Sequence, residues 1–278
     1  MSLNKKHFLV VAAASRGARL FIKKALQEGH DVTAICRAES ESAALVRMNR
    51  LLHETTLIAN PVCNSQIKEP MQSGILTATN RSILSEQTYV ILLQNDISIN
   101  AVCCFVGLTR LTDMLDKQNK LYSQTIKAVI SGMQSSRLVE FYYHGSSGTE
   151  GVPSKSFAKI PDNFKPKWLL NIFNNMPIVQ DYRESERLLA EAADYGMRFI
   201  IFRPAFLTSG PAKRRYRYCF DTTECDNHML PLRHSTMAIS REDVAEEILR
   251  VALLPDSDRQ KWFGHGVYLA NMKASFYN

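Results

Sequence analysis

The first forty residues constrain the fold of this chain most, because two strand patterns flank one helix pattern. Phe8-Leu9-Val10-Val11 is a short, continuously apolar run, and a turn of small residues follows it. Residues 19–28 have the apolar spacing of a helix, and a second strand pattern runs from Val32 to Arg37. A strand, a tight turn, a helix and a strand of these lengths predict a βαβ unit of dinucleotide-binding size.

The turn in this unit departs from a dinucleotide-binding fingerprint. It holds one glycine, Gly17, where the fingerprint carries three. The fingerprint glycines serve a positive φ, a close approach of the backbone to pyrophosphate, and packing of the helix on the strand. The backbone N–H groups of a helix N-terminus bind phosphate even without glycine. The sequence therefore predicts a nucleotide-binding fold more strongly than it predicts nucleotide binding.

The rest of the chain continues the alternation of strands and helices. Further strand patterns cover residues 74–78, 99–107, 137–143, 197–204 and 267–270. Helix patterns cover residues 40–57, 84–94, 115–135 and 181–195, and another helix follows an N-cap at Ser240. Apolar strands that alternate with helices predict a doubly wound, parallel α/β sheet of the Rossmann-like type, with about six or seven strands. The uncharged run from Asn100 to Gly107 is predicted to be its central strand.

The length of 278 residues predicts one domain, residues 1–278. Two stretches lack a clear helix or strand pattern and are rich in proline, lysine or arginine. They predict a small C-terminal substrate lobe formed by residues 150–178 and 205–238. Within it, residues 211–236 are expected to be irregular.

The net charge of +7 and the pI near 9.1 favour anionic partners such as phosphorylated cofactors. The strongest basic cluster is Lys213–Tyr218, whose interleaved tyrosines suit an anionic or aromatic substrate, or single-stranded nucleic acid. An exposed loop is the simpler interpretation, and nucleic acid is not expected as a partner.

The cysteines indicate the compartment. None of the six has metal-ligand spacing, and Cys103-Cys104 lie within an apolar run, which predicts buried free thiols. Free thiols suit a reducing, cytoplasmic location. No metal site is expected, because the histidines also lack ligand spacing. No membrane span is expected either, because no apolar run approaches about 18 residues.

Four segments in order resemble one family. They are residues 29–37, 101–107, 202–208 and 240–245. Together they resemble the atypical short-chain dehydrogenase/reductases of the NmrA-like NAD(P)-binding group, which includes flavin and biliverdin reductases. The resemblance spans about residues 7–270 and implies a Rossmann-like fold, an NAD(P) cofactor and a small-molecule substrate.

The resemblance also implies cofactor contacts. The family turn reads Gly-Ala-Thr-Gly-x-x-Gly, and alignment from Gly29 puts its glycines at Ala12, Ser15 and Ala18. Arg37 stands where a guanidinium favours NADP over NAD by pairing with the 2′-phosphate, and Arg16 offers a second contact. The implied cofactor-binding residues are Ala12, Ala14, Ser15, Arg16, Gly17, Ala18, Arg37, Gly107, Ser147, Pro204 and Phe206.

The catalytic residues of the wider superfamily are not retained. That superfamily uses Tyr-x-x-x-Lys, whose lysine lowers the tyrosine pKa. Tyr182 is the matching tyrosine here, but Glu186 stands at the lysine position, and a carboxylate would oppose that shift. The family serine pair aligns either with Tyr142-Tyr143 or with Ser146-Ser147. The candidate catalytic residues are therefore Tyr143, Ser146 and Tyr182.

Two function classes remain open. The first is an NAD(P)H-dependent oxidoreductase of atypical short-chain type, with NADP favoured, since some members transfer hydride without a dedicated acid. The second is a non-catalytic NAD(P)-sensing or protein-binding scaffold with a degenerate cofactor turn. A sugar-nucleotide epimerase or dehydratase is disfavoured by the missing Tyr-Lys pair. Because side chains replace glycine in the turn, cofactor binding is expected to be weak.

Overall fold

The computed structural model describes residues 5–59, 74–107, 111–136, 140–146, 175–204, 206–220 and 238–271. Its strands are β1 (His7–Val11), β2 (Asp31–Ile35), β3 (Leu76–Thr79), β4 (Ala101–Cys104), β5 (Glu140–His144), β6 (Arg198–Pro204), β7 (Phe206–Thr208), β8 (Tyr216–Phe220), β9 (Ala238–Ser240) and β10 (His265–Asn271). Its helices are α1 (Arg16–Gln27), α2 (Glu41–Ala59), α3 (Glu86–Asn95), α4 (Leu111–Leu115), α5 (Leu121–Gln134), α6 (Pro177–Ala193), α7 (Arg241–Ala252) and α8 (Asp256–Arg259).

The main sheet has eight strands in the order β3-β2-β1-β4-β5-β6-β10-β8. The first seven strands are parallel, and β8 pairs antiparallel with β10 at the edge. Strands β7 and β9 form a separate parallel pair. The predicted doubly wound sheet is confirmed, and β4 lies inside it as predicted, although the strand itself is limited to Ala101–Cys104.

Each face of the sheet carries its own hydrophobic core. One core joins the sheet to α1, α2 and α7, and it includes Phe21, Met48 and Ile248. The other joins the sheet to α3, α5 and α6, and it includes Tyr89 and Val129. Alternate side chains of each strand point to opposite faces, so Cys103 belongs to the first core and Cys104 to the second. Both thiols are buried and free, as the sequence predicts.

Strand β8 contradicts the prediction that residues 211–236 are irregular. It runs from Tyr216 to Phe220 and pairs with β10. The rings of Tyr218 and Phe220 lie 4.8 Å and 4.9 Å from the ring of Trp262. The alternating aromatics of this stretch are therefore a strand pattern that the neighbouring basic residues obscured.

The helix predicted over residues 115–135 is divided in two. Helix α4 ends at Leu115 and α5 begins at Leu121. Between them, the Asp116 carboxylate accepts a hydrogen bond from the Gln118 N–H (2.9 Å), which stabilises a turn instead of a helix. The N-terminus of α5 is then capped by Asp181 of α6, whose carboxylate accepts from the Tyr122 N–H at 2.8 Å. A cap supplied by a distant helix leaves no local sequence signal.

The predicted substrate lobe falls largely on residues that the structure does not describe. Residues 150–174 and 221–237 lie outside the described ranges, and within the rest β8 belongs to the main sheet. The division into a main body and a lobe stays a prediction. None of the described helices is long and apolar enough to cross a membrane.

Candidate functional site

The strand order reverses between β1 and β4, and this is where a ligand crevice is expected in an open parallel sheet. Val11 lies opposite Cys104, and Cys104 lies opposite Tyr143, so three adjacent strands end at the same edge. The segments that follow these strands therefore meet there. They are the turn after β1, residues 105–107 after β4, and residues 145–146 after β5.

The turn after β1 keeps the backbone shape of a glycine turn without its first glycine. Ala12 has a φ of 57°, the left-handed conformation that favours glycine. The turn is closed by a hydrogen bond from the Ser15 N–H to the Ala12 carbonyl (3.0 Å). Alanine in this conformation costs about 1–2 kcal/mol. The hydrogen bonds of the turn thus hold a strained alanine at the first fingerprint position.

The second fingerprint position has become a helix cap. Ser15 is the N-cap of α1, and its hydroxyl accepts a hydrogen bond from the Ala18 N–H (3.3 Å). The N–H groups of Arg16 and Gly17 lie in the first turn of the helix, where no carbonyl of a preceding helical turn can accept their hydrogen bonds. Gly17 therefore lies in the helix rather than in the turn. A Cβ on Gly17 would lie 3.3 Å from the Phe105 ring, so its small size serves the packing of α1 on the segment after β4.

Two glycine substitutions test this description of the turn. Ala12→Gly should raise the free energy of unfolding by up to about 1 kcal/mol, because relief of left-handed strain outweighs the added freedom of the unfolded chain. Ala18→Gly should lower it by about 1–2 kcal/mol, because Ala18 is a buried helical residue. Urea denaturation measures both values. Destabilisation by Ala12→Gly would contradict the strain at that position.

Arg37 lies beyond the second strand rather than closing it. Strand β2 ends at Ile35, and Arg37 is exposed two residues later. Its carbonyl accepts a hydrogen bond from the Arg47 guanidinium of α2. Nearby, the Thr79 hydroxyl donates to Glu41 (3.2 Å) at the first turn of α2. The backbone of Arg37 is thus tied to α2 through its carbonyl, and its side chain is exposed.

The two candidate catalytic tyrosines lie on the α5–α6 side of the sheet. Tyr143 is fully buried at the end of β5, and Tyr182 of α6 is partly exposed. The ring of Tyr182 lies 4.0 Å from that of Tyr122. Burial raises the pKa of Tyr182 well above its usual value, and Tyr122 and Tyr143 raise it further. Burial likewise raises the pKa of Tyr143. Both phenols are therefore protonated at neutral pH.

Glu186, which stands at the family lysine position, forms an ion pair with Arg203. Its carboxylate accepts hydrogen bonds from Arg203 Nε (3.1 Å) and Nη2 (2.8 Å). Both side chains are buried, at 0% and 1% exposure. The raised pKa of Tyr182 has burial and its tyrosine neighbours as its causes. That Glu186 opposes a phenolate at Tyr182 therefore stays a prediction, and its carboxylate is engaged with Arg203.

The other predicted residues differ in burial, and one of them lies outside the described part of the chain. Gly107 is exposed, and among the described residues, its chain neighbours aside, none lies within 4 Å of a Cβ built on it. Ser146 is half-buried after β5, whereas Ser147 lies outside the described residues. Pro204 is buried at the end of β6, and Phe206 is 74% exposed. The structure therefore gathers the turn, Gly107 and Ser146 at the strand ends beside the switch point, with Pro204 on the adjacent β6.

Sequence reasoning did not single out Ser209, Arg241 and His144. Arg16 donates to the Ser209 hydroxyl (3.3 Å), and Arg241 donates to the same hydroxyl (3.1 Å). Burial lowers the pKa of His144, at the end of β5, to about 4, and Arg241 adds to this shift. At neutral pH the His144 imidazole is uncharged. Its position directly after the apolar strand was the available sequence signal.

The basic cluster Lys213–Tyr218 is held by the acidic residues of α7. The Lys213 and Arg214 N–H groups both donate to Asp243, at 3.1 Å and 2.8 Å. The Arg214 guanidinium pairs with Glu246 (3.1 Å). The Tyr216 hydroxyl donates to Glu247 (2.7 Å). These contacts account for Arg214 and Tyr216 within the fold.

Within the described part of the chain there is also no group of three or more His, Cys, Asp or Glu that could hold a metal ion.

Comparison with solved structures finds the same fold in many proteins. The anaerobillin reductase ChuY from Escherichia coli O157:H7 has a TM-score of 0.59 at 15% identity, covering 96% of this chain and 97% of that one. A wide-type short-chain dehydrogenase/reductase from Veillonella parvula, in complex with NADP, has a TM-score of 0.57 at 15% identity, covering 98% and 97%. The terminal R domain from the myxalamid PKS-NRPS biosynthetic pathway has a TM-score of 0.61 at 13% identity, covering 99% and 69%.

Sequence comparisons give no match, either to family models or to curated proteins. The structural likeness extends over nearly the whole chain, and the reversal of strand order lies where the Rossmann topology requires it. The chain therefore has the Rossmann-like α/β fold that is shared by atypical short-chain dehydrogenase/reductases.

Proposed function

We propose that this protein is an NAD(P)H-dependent reductase of atypical short-chain type that prefers NADP(H). The observation that carries the proposal is the crevice at the β1–β4 switch point, where the N-terminus of α1 follows a turn with Ala12 in the left-handed conformation. Structural neighbours that include an anaerobillin reductase and an NADP complex support it.

The described residues fit a dinucleotide at this position. The N–H groups of Arg16 and Gly17 at the start of α1 would receive the pyrophosphate, while Ala12 and Ala14 shape the turn below it. Arg37 would pair with the 2′-phosphate. No described residue other than its chain neighbours crowds a Cβ at Gly107, which suits a cofactor that passes the end of β4. When bound, the reduced nicotinamide supplies a hydride to the substrate.

The protonation states of the candidate catalytic groups favour reduction over oxidation. Oxidation of an alcohol needs a base to remove its proton, and the raised pKa values of Tyr143 and Tyr182 keep both phenols protonated. A protonated phenol donates a hydrogen bond, which suits a substrate atom that gains electron density. We assign this orienting role to Tyr182 and Ser146, while Tyr143 is buried in the core against which Tyr182 packs. The substrate is a small molecule, anionic or aromatic.

Titration of the purified protein with NADPH and with NADH, followed by nicotinamide fluorescence, tests the proposal. We expect saturable binding of NADPH that is weaker than in proteins with three turn glycines, because the Ala12 and Ser15 side chains narrow the site, whereas Ala18 is buried in the core. Stoichiometric NADP in the protein as isolated would show that the turn does not obstruct binding. Absence of binding for both cofactors at millimolar concentration would reject the proposal.

Replacement of Arg37 tests the preference for NADP(H). Arg37→Ala should reduce the preference for NADPH over NADH by about 1–3 kcal/mol, because it removes a charge-assisted contact to the 2′-phosphate. The matched control is Arg50→Ala, which removes an exposed arginine from α2. It should leave both affinities unchanged. Equal affinity of the unmodified protein for the two cofactors would remove the basis for this role.

A non-catalytic NAD(P)-sensing or protein-binding scaffold is the second candidate function. The observation in its favour is that Glu186, which stands at the family lysine position, is engaged with Arg203. Cofactor binding without turnover of flavin, biliverdin or related acceptors would favour a sensor. If Ala12→Gly, Ser15→Gly and Ala18→Gly together do not restore binding to a protein that lacks it, a protein-binding scaffold is favoured.

A further inference from the structure

Two arginines from different parts of the chain converge on one exposed hydroxyl beside the crevice. Arg16 is the first residue of α1, and Arg241 is the first residue of α7. Each guanidinium donates through Nη1 to Ser209 Oγ, at 3.3 Å and 3.1 Å respectively. Arg241 Nη1 also lies 3.4 Å from the Leu207 carbonyl. A single neutral hydroxyl thus receives two cationic donors.

These two charges lack an acidic partner among the described residues. Burial lowers the pKa of Arg241. The positive charge of Arg16 lowers it further. The neighbouring Glu242 is directed elsewhere, since its carboxylate accepts from the Ala212 N–H (2.9 Å). His144, on the sheet side, is uncharged at neutral pH because its pKa is about 4. Within the described part of the chain, no acidic group therefore offsets the repulsion between these two like charges, and such repulsion reduces stability.

We propose that Arg16, Arg241 and Ser209 form a pyrophosphate-binding clamp that takes over the role of the missing turn glycines. Guanidinium groups bind phosphate oxygens with paired, charge-assisted hydrogen bonds. Arg16 opens the helix whose N–H groups face the proposed pyrophosphate position, so one anion can contact both. An anion here would also neutralise the repulsion between the two arginines. The inference rests on the proposed dinucleotide binding, and it adds Arg241 and Ser209 to that site.

The clamp would compensate for the glycines that are replaced in the turn after β1. Glycine allows backbone N–H groups to approach the pyrophosphate closely, and alanine or serine at those positions holds it further away. A long arginine side chain reaches a pyrophosphate that lies further from the turn backbone and adds its contacts to those of the helix N–H groups. Arg241 lies at the start of α7, so the clamp joins the first βαβ unit to the C-terminal part of the chain.

Calorimetric titration of the full chain with ADP-ribose, inorganic pyrophosphate and NADPH tests the clamp. ADP-ribose carries the pyrophosphate without the nicotinamide. Arg16→Met and Arg241→Met should each weaken ADP-ribose and NADPH binding about 10- to 100-fold. The control Arg187→Met removes an exposed arginine of α6, away from the crevice. It should bind all three ligands as the unmodified protein does.

Thermal melting separates binding from folding. Arg241→Met should melt at or above the temperature of the unmodified protein, because it relieves repulsion. Pyrophosphate should raise the melting temperature of the unmodified protein and not that of Arg241→Met. A folded Arg241→Met with unchanged affinity for ADP-ribose and NADPH would overturn the clamp and leave the proposed function intact. Arginine-dependent binding of pyrophosphate without NADPH binding would support the anion site and reject the dinucleotide function. No binding of any of the three ligands would overturn both.

Discussion

Replacement of Arg203 by methionine should lower the free energy of unfolding by about 3–5 kcal/mol. The change leaves the Glu186 carboxylate buried at 0% exposure without the guanidinium that now donates to both of its oxygens. It also removes the contact of Arg203 with the Tyr268 ring, 5.3 Å away. An isolated buried charge is among the costliest defects in a protein interior. Urea denaturation followed by circular dichroism measures the loss.

The double variant Arg203→Met/Glu186→Leu distinguishes an unpaired charge from lost packing. Replacing both members of a buried ion pair by apolar residues is often nearly neutral, so the double variant should recover most of the lost stability. The matched control Arg187→Met lies on the exposed face of α6 and should change stability little. A double variant as unstable as Arg203→Met would show that packing rather than charge is responsible.

Substitution Glu140→Gln should also cost about 3–5 kcal/mol of the free energy of unfolding. Glu140 is buried at the start of β5 and compensates three cations. Arg259 and Arg198 lie 2.9 Å and 3.1 Å from its Oε1 atom, and Lys6 lies 3.7 Å from Oε2. The Tyr142 hydroxyl also donates to Oε2 (2.7 Å). A neutral amide leaves three positive charges close together, of which Arg259 keeps its ion pair with Asp256.

The pH dependence of Glu140→Gln identifies the charge effect. Burial lowers the pKa of Lys6, and Glu140 is the largest influence that raises it. Without Glu140 the folded-state pKa of Lys6 falls further below its unfolded value, so between these two pKa values the unfolded state binds more protons and stability rises with pH. The destabilisation should therefore shrink as the pH rises and Lys6 loses its proton. The control Glu184→Gln, on the exposed face of α6, should show a small effect. A loss of stability that does not change with pH would exclude this account.

Both predictions concern side chains whose partners the sequence does not reveal. Glu186 was noticed because it replaces a lysine, yet its partner Arg203 lies 17 residues away on the next strand. Glu140 and Arg259 are 119 residues apart. The pairing of such groups depends on the packing of helices and strands, whereas the periodicity of apolar residues is local.

The sequence by itself determined the layered architecture. Continuous apolar runs separated by amphipathic helices bury both faces of a sheet, so the parallel fold, the interior position of β4 and the Ser240 cap followed from the pattern. Tertiary structure alone decided the details of the site. It placed Ala12 in a left-handed turn, joined β8 to the sheet through β10, and brought Arg16 and Arg241 to Ser209 across 193 and 32 residues. The physical reason is that periodicity specifies which face of an element is buried, whereas only the assembled strand order decides which element ends meet.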